Sequence, residues 1–298
     1  MYKNSLLSFA PVFTLAAALA VIALACGARA DQAAAAADKQ DYTLFDPTPA
    51  DQLRPLSLDA NDGVVDPTTV DAGHAQVQGE LLDYFHYSKT QPDPFSFNPT
   101  ISYTHDLFNW SPRVTLGVLN NVDFFVHPSF YSTSYRFSGA YNFSGNSSGY
   151  EGLNLGSKIN LWGNDSGQTA FSVAPYVSIP NHGGLVLGGG DISFAVRLPQ
   201  LFYLKVASNP SALDHANDTA YFGIENSLSL HKSFGGQFDA YAYLNTAWES
   251  DGEGWNGYAG FGLGYQVLRD LQLFAGIGFG LNSNSYDYNP RIGLGWRF

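Results

Sequence analysis

From Trp255 to Phe298, apolar side chains and glycines alternate with a period of two through three successive runs, and no other feature of the chain restricts its fold so tightly. Such alternation puts successive side chains on opposite faces of a strand, whereas a helix needs spacings of three and four. From Leu271 to Leu281 the odd positions are Leu271, Leu273, Ala275, Ile277, Phe279 and Leu281, and the even ones from Gln272 are Gln272, Phe274, Gly276, Gly278, Gly280 and Asn282. One face is greasy; the other, Phe274 apart, is small or polar. The last run repeats this, with Ile292, Leu294, Trp296 and Phe298 opposite Arg291, Gly293, Gly295 and Arg297. An apolar face ending in aromatics, opposite a face bearing Arg and Asn, suits a strand standing between hydrocarbon and a watery interior.

The same period recurs upstream. Candidate strands are Ala75 to Tyr87, Arg113 to Leu119, Val122 to Tyr131, Gly152 to Gly163, Gln168 to Ile179, Ile192 to Leu198, Leu201 to Ser208, Thr219 to His231, Gln237 to Trp248, Trp255 to Leu268, Leu271 to Asn282 and the final run. Every second connection is short: Asn120-Asn121, Asn164 to Gly167, Pro199-Gln200, Ser233 to Gly236 and Arg269-Asp270. Asn, Asp and Gly tolerate the positive φ that tight hairpins need. The others are long, Ser88 to Ser111 and Ser138 to Tyr150 among them. These features predict an all-β fold, an antiparallel up-and-down transmembrane barrel of about twelve strands over 74–298. Short turns and both termini would lie at the periplasmic end, and long loops outside. A soluble sandwich has no reason to sort its loops by length so strictly.

Composition agrees. Aromatics make up 15% and charged residues 13%, with 31 glycines, which fits aromatic girdles and a roomy inward face better than a soluble surface. Lys3 precedes an apolar run from Phe9 to Ala25, and Ala28-Arg29-Ala30 is a small-x-small site, so a signal peptide over 1–30 with cleavage between Ala30 and Asp31 is expected. Cys26, the one cysteine, falls inside that leader, which leaves the mature chain without a disulfide. A lipid anchor on Cys26 is disfavoured by Leu24, where a small residue is usual. A net charge of -12 speaks against nucleic acid as a partner. Residues 31–73, with an alanine run and Pro47, Pro49, Pro55 and Pro67, carry no sustained period and read as an irregular periplasmic segment, either a disordered tail or a plug.

Charge divides the faces, because Arg or Lys facing hydrocarbon at midplane costs roughly 2–4 kcal/mol. Phe171, Val173, Pro175, Val177 and Ile179 should face lipid, as should Ile192, Phe194, Val196 and Leu198, and Phe222, Ile224, Leu228 and Leu230. The lumen candidates are Arg113, Lys158, Arg197 and Lys205, set against Glu80, Asp123, Glu225 and Asp239, with Tyr203, Tyr221, Tyr241 and Tyr243 as an aromatic lining. Basic and acidic walls would create a transverse field. Pairs that merely neutralise one another in a closed lumen are the bland alternative. Asp83 breaks the scheme by falling on the apolar face of the first strand, and is expected near a rim.

Thr69-Val70-Asp71-Ala72-Gly73-His74, Leu161-Trp162-Gly163, Pro175-Tyr176-Val177 with Pro180, and the ending Asn289-Pro290-Arg291-Ile292-Gly293-Leu294-Gly295-Trp296-Arg297-Phe298 resemble the "MetA-pathway of phenol degradation" family of outer-membrane transporter-like proteins. The likeness runs from about His74 to Phe298 and is clearest in the second half. It implies an outer-membrane barrel, at times linked with uptake of aromatic or other hydrophobic compounds. The chain departs from that pattern in the longer aromatic segment Phe95 to Trp110. A terminal strand carrying Trp296 and Phe298 also resembles the signature that the outer-membrane assembly machinery reads.

Catalytic signals are weak. His74, His86, His105, His127, His182, His215 and His231 show no metal-binding spacing, so no metal and no cofactor is expected. Ser227, Ser229 and His231 share an inward face, but two residues along a strand is a long reach for a nucleophile and its base. Gly188 to Gly190 has no Lys after it and is not a phosphate loop. The expected function is passive passage of small molecules, hydrophobic or aromatic ones included, through a non-enzymatic, porin-like channel in the outer membrane of a Gram-negative bacterium, with the bilayer and the assembly machinery as partners. A lipid-modifying enzyme and a closed structural or adhesive barrel are the alternatives.

Overall fold

The computed structural model describes residues 39–59, 61–92, 100–138, 142–165, 167–181, 184–214, 219–251 and 254–298, so the leader and the expected cleavage site at Ala30 and Asp31 lie outside the described residues. Thirteen strands form one antiparallel sheet: β1 (Ala75–Pro92), β2 (Thr100–Trp110), β3 (Arg113–Leu119), β4 (Val122–Ser138), β5 (Phe143–Trp162), β6 (Thr169–Pro180), β7 (Leu187–Leu198), β8 (Phe202–Asp214), β9 (Ala220–Phe234), β10 (Phe238–Glu249), β11 (Gly254–Leu268), β12 (Leu271–Gly280) and β13 (Tyr288–Arg297). β2 and β3 both lie between β1 and β4, so they are two lengths of one stave and the barrel has twelve staves. The break is at Ser111-Pro112, where Pro112 cannot donate to the ladder. The sheet closes through β1 and β13, from Gln76 opposite Arg297 to His86 opposite Tyr288. Closure removes the free edge that hydrocarbon would not tolerate.

Both ends of the barrel chain meet at one rim, where Ala75 and Phe298 exchange backbone hydrogen bonds of 2.9 Å. The short turns lie at that rim too. Gly235 and Gly236 supply the positive φ for one of them, at 63° and 77°; in another, Gln200 and Leu201 adopt 62° and 66° without glycine.

Alternation sorts the two faces as period two requires. On β11 and β12 the outward Phe261, Leu263 and Phe279 are exposed, while Gly260, Gly262, Gly276 and Gly278 face inward against Tyr241 and Tyr243. A Cβ on Gly262 would stand 2.3 Å from the Tyr241 hydroxyl, so these glycines are what lets the two tyrosines lie against the wall. Aromatics flank the outward band. Trp162 with Phe171, Phe238 with Tyr265 and Trp296 with Phe298 lie at the turn end, and Trp110 with Phe130 and Tyr84 with Phe108 toward the other.

Three expectations need correction. Asp83 does not sit on the apolar face: Leu81 and Leu82 together oppose one position of β13 in a bulge, which turns Asp83 inward, where Asn289 donates to it at 2.7 Å. Much of the expected loop Ser88 to Ser111 is strand, since β1 runs on to Pro92 and pairs with β2; residues 93–99 lie outside the described residues. Likewise β4 and β5 pair from Phe137 opposite Phe143 downward, through what read as a Ser, Gly and Asn loop. Strands that rise beyond hydrocarbon have water on both faces, so they keep the ladder and lose the apolar alternation.

Candidate functional site

Prolines at 47, 49, 55 and 67 keep residues 39–74 out of regular structure; among the described residues there, a 3-10 turn, Ala50–Gln52, and an isolated bridge of Thr43 with Asp46 are what forms within the segment. The segment instead threads the lumen, where its carboxylates meet cations of the inner wall. Asp59 is within 3.2 Å of Arg113 and 3.1 Å of Lys158, and Asp62 within 2.9 Å of Lys205 and 2.5 Å of His231. Lys158 also donates to the carbonyls of Asp66 and Thr68, Asn160 to that of Pro67, and the Tyr203 hydroxyl to Asp66. In the reverse sense, wall residue Asp123 accepts from the Val70 amide. Near the turn rim Arg54 donates from Nε to Asp165 at 2.9 Å and from Nη2 to the Asn120 carbonyl, while Asp71 accepts from Lys39 at 3.0 Å and lies 3.4 Å from Arg297.

An apolar contact adds to these bonds. Leu56 and Leu58 pack on Phe274, the one large apolar residue on the otherwise small inward face of β12. Gly293 and Gly295 leave the space: a Cβ at the first would meet the Phe274 ring at 2.3 Å, and at the second the Leu58 side chain at 2.0 Å. On β3, Gly117 lets the segment's backbone touch the wall, since a Cβ there would stand 2.2 Å from the Asp71 carbonyl oxygen. Between segment and sheet, backbone pairing amounts to one isolated bridge, Thr43 with Leu119, and a few turn hydrogen bonds.

Outside the strands, three described carboxylates, Asp59, Asp62 and Asp165, lie below their ordinary range, Asp59 because its burial is outweighed by Lys158 and Arg113. Burial pushes Asp62 upward, but Lys205 and His231 outweigh it and hold the group well below the usual carboxylate range. Asp165 follows the same course, raised by burial and brought below its ordinary value by hydrogen bonds from Asn120 and Arg54.

The lumen candidates fall into distinct surroundings. Arg113, Lys158, Lys205, Asp123 and Tyr203 touch the threaded segment. Asp239 accepts from His231 at 2.6 Å, and Tyr241 and Tyr243 lie buried against the inward glycines. Glu80, opposite Gly293, together with Glu225 and Tyr221 on the inward positions of β9, lies farther from the turn rim, and Arg197 lies at that rim. The transverse field between basic and acidic walls is therefore not what the geometry presents: the cations are met by Asp59 and Asp62 of the segment, not by Glu80 or Glu225. Phe274, Gly293 and Gly295 had hinted at this in the sequence, as a bulky residue facing glycines on what should be a small, polar side.

A cavity of about 830 Å³ remains at the turn rim, between residues 54–68 and the ends of β7 to β12. Elsewhere, the outward face of β1 and β2 carries a hydrogen-bonded group in which His86 Nδ1 lies 2.7 Å, and the Tyr84 hydroxyl 2.5 Å, from the same Asp106 oxygen. The described hydroxyl beside that histidine is a tyrosine's, not a serine's. A GxSxG pattern, Gly145-Asn146-Ser147-Ser148-Gly149, runs inside β5, whereas its chemistry needs a sharp strand-to-helix turn. Among the described residues, no group of three or more His, Cys, Asp or Glu could hold a metal ion.

No protein-family model matches the chain, and no curated sequence matches it, so the family likened to its closing residues is not shown. Solved structures similar to it include the translocator domain of the autotransporter NalP from Neisseria meningitidis, with 11% identity, TM-score 0.44, and coverage of 75% of this chain and 88% of that one. The porin NanC gives 10% identity and TM-score 0.44 over 74% of this chain and 98% of its own. The monoaromatic hydrocarbon channel CymD gives 8% and 0.43 over 75% and 87%. These values describe a general likeness of barrel form.

Proposed function

We propose that the protein is an outer-membrane channel for small molecules whose lumen is closed by its own residues 39–74. The observation that carries this reading is how the segment is held: by side-chain ion pairs, hydrogen bonds and one apolar contact, with almost no strand pairing to the sheet. A stopper held that way can leave without opening the barrel's own ladder, whereas a structural core would share it. An outward apolar band with aromatics at both ends is what a barrel in a bilayer presents, and the leader expected at 1–30 supports export to the outer membrane. Hydrophobic and aromatic solutes are the class that the tyrosine-lined wall at Tyr241 and Tyr243 favours.

The test is permeability in reconstituted liposomes of the mature chain and of a variant lacking residues 39–72. The variant should admit small sugars and the membrane-impermeant aromatic benzenesulfonate that the mature chain holds back. Equal, negligible permeability of the two would leave a closed structural barrel as the better account.

A further inference from the structure

The cavity at the turn rim holds a cation with no ion-pair partner among the described residues. Arg54, Lys205 and His231 line it too, but each is committed: Arg54 to Asp165, and Lys205 and His231 to Asp62; of the carboxylates there, Asp165 is met by Arg54, Asp239 by His231, and Asp66 by Thr68 and Tyr203. Arg197, on the last inward position of β7, reaches the cavity exposed, and among the described residues no ion pair or side-chain hydrogen bond engages its guanidinium. Leu56 and Leu58 of the threaded segment form an apolar wall on its other side. A volume of about 830 Å³ lies in the range of sites that enclose a whole small ligand, and Arg197 is the charge in its lining that is left to meet one.

We propose that this cavity binds a small organic anion with an apolar body, an aromatic or short aliphatic carboxylate. Its carboxylate pairs with Arg197, and its body lies against Leu56 and Leu58. The planar guanidinium fork matches a carboxylate in two parallel hydrogen bonds, a geometry that a neutral alcohol cannot reproduce. One side of the cavity is the stopper itself, residues 54–68, so an anion bound there touches stopper and wall together and favours the closed arrangement by mass action.

The inference goes beyond the channel reading and is tested apart from it. Fluorescent 2-naphthoate is titrated into the full mature protein in dodecyl maltoside, where no membrane or passage is involved, with 2-naphthalenemethanol as the uncharged counterpart. Saturable binding of naphthoate, weakened tenfold or more in Arg197→Gln while the alcohol binds equally to both proteins, is the expected result. Arg197 is exposed and makes no described side-chain bond, so its replacement leaves the fold intact, which an unchanged unfolding midpoint verifies. Absence of saturable binding, equal naphthoate affinity in the variant, or an alcohol bound as tightly as the acid would each overturn the site. Any of these would leave the liposome result for the channel standing.

Discussion

Asp62 faces Lys205 at 2.9 Å and His231 at 2.5 Å, is fully buried, and belongs to the stopper while its partners belong to the wall. Removing one member of a buried pair leaves the other charged and unmatched, at a cost of about 3–5 kcal/mol. Asp62→Ala is therefore expected to free the segment, seen as solute entry into liposomes at a temperature where the wild type stays closed. Acid should act in the same direction. Asp62 and Asp165 titrate below the ordinary carboxylate value in the folded protein, so their contribution is complete above about pH 4, the unfolded value, and is lost as pH falls through the lower folded one. Liposomes clamped at successively lower pH should become leaky below about pH 4, and wild-type protein that opens on raising pH from 5 to 8 would contradict this. Gly117 gives a steric counterpart: Gly117→Ala puts a methyl on the Asp71 carbonyl, and since backbone cannot rotate aside, the cost is about 1–3 kcal/mol in the unfolding of the closed form, read as a lower midpoint in urea. None of these pairings is spelled in the sequence. Alternation says that Lys158 and Lys205 point inward, but which acid each meets depends on an irregular segment with no period to register it.

For the strands, what the sequence conveys and what it hides follow the depth of the membrane. Within hydrocarbon every residue chooses between lipid and lumen, so the runs Phe171 to Ile179 and Leu271 to Leu281 could be assigned to faces and ends from pattern alone. Above it the choice disappears, and the pairing of Ser132 with Ser148 or Tyr135 with Gly145 looks like a loop. Pattern also misleads at a bulge, where Leu81 and Leu82 share one side and every later residue of β1 reverses. Deleting Leu81 removes the extra residue and leaves Glu80 and Asp83 inward with Leu82 outward between them, so β1 keeps its faces. The expected outcome is a folded, heat-modifiable band on electrophoresis, whereas deleting Phe85, which is paired within the regular ladder, turns the following residues of β1 to the wrong faces and loses that band. A Leu81 deletion that fails to fold would show that the bulge does more than carry one extra residue.

Over the whole molecule the charges divide into two populations. Exposed groups such as Asp41, Asp51 and Arg269 form one, whereas the ions that tie stopper to wall are shielded: Asp62 and Asp71 are wholly buried, Lys158 and Lys205 nearly so. Mobile ions screen the first population over about 10 Å at 0.1 M and about 3 Å at 1 M, but reach the second poorly. The closed state should therefore withstand salt. In planar bilayers wild-type protein is expected to stay silent from 0.1 to 1 M KCl, and Asp62→Ala to conduct throughout, with conductance rising as the bulk solution's does. A few molar urea, which competes for the stopper's hydrogen bonds and loosens Leu56 and Leu58 from Phe274, should open the wild type before the barrel unfolds, because the twelve-stave ladder does not depend on the segment it encloses. Wild-type channels that open with salt alone would place the latch among exposed charges, and the buried pairs around Asp59 and Asp62 would then be bystanders to closure.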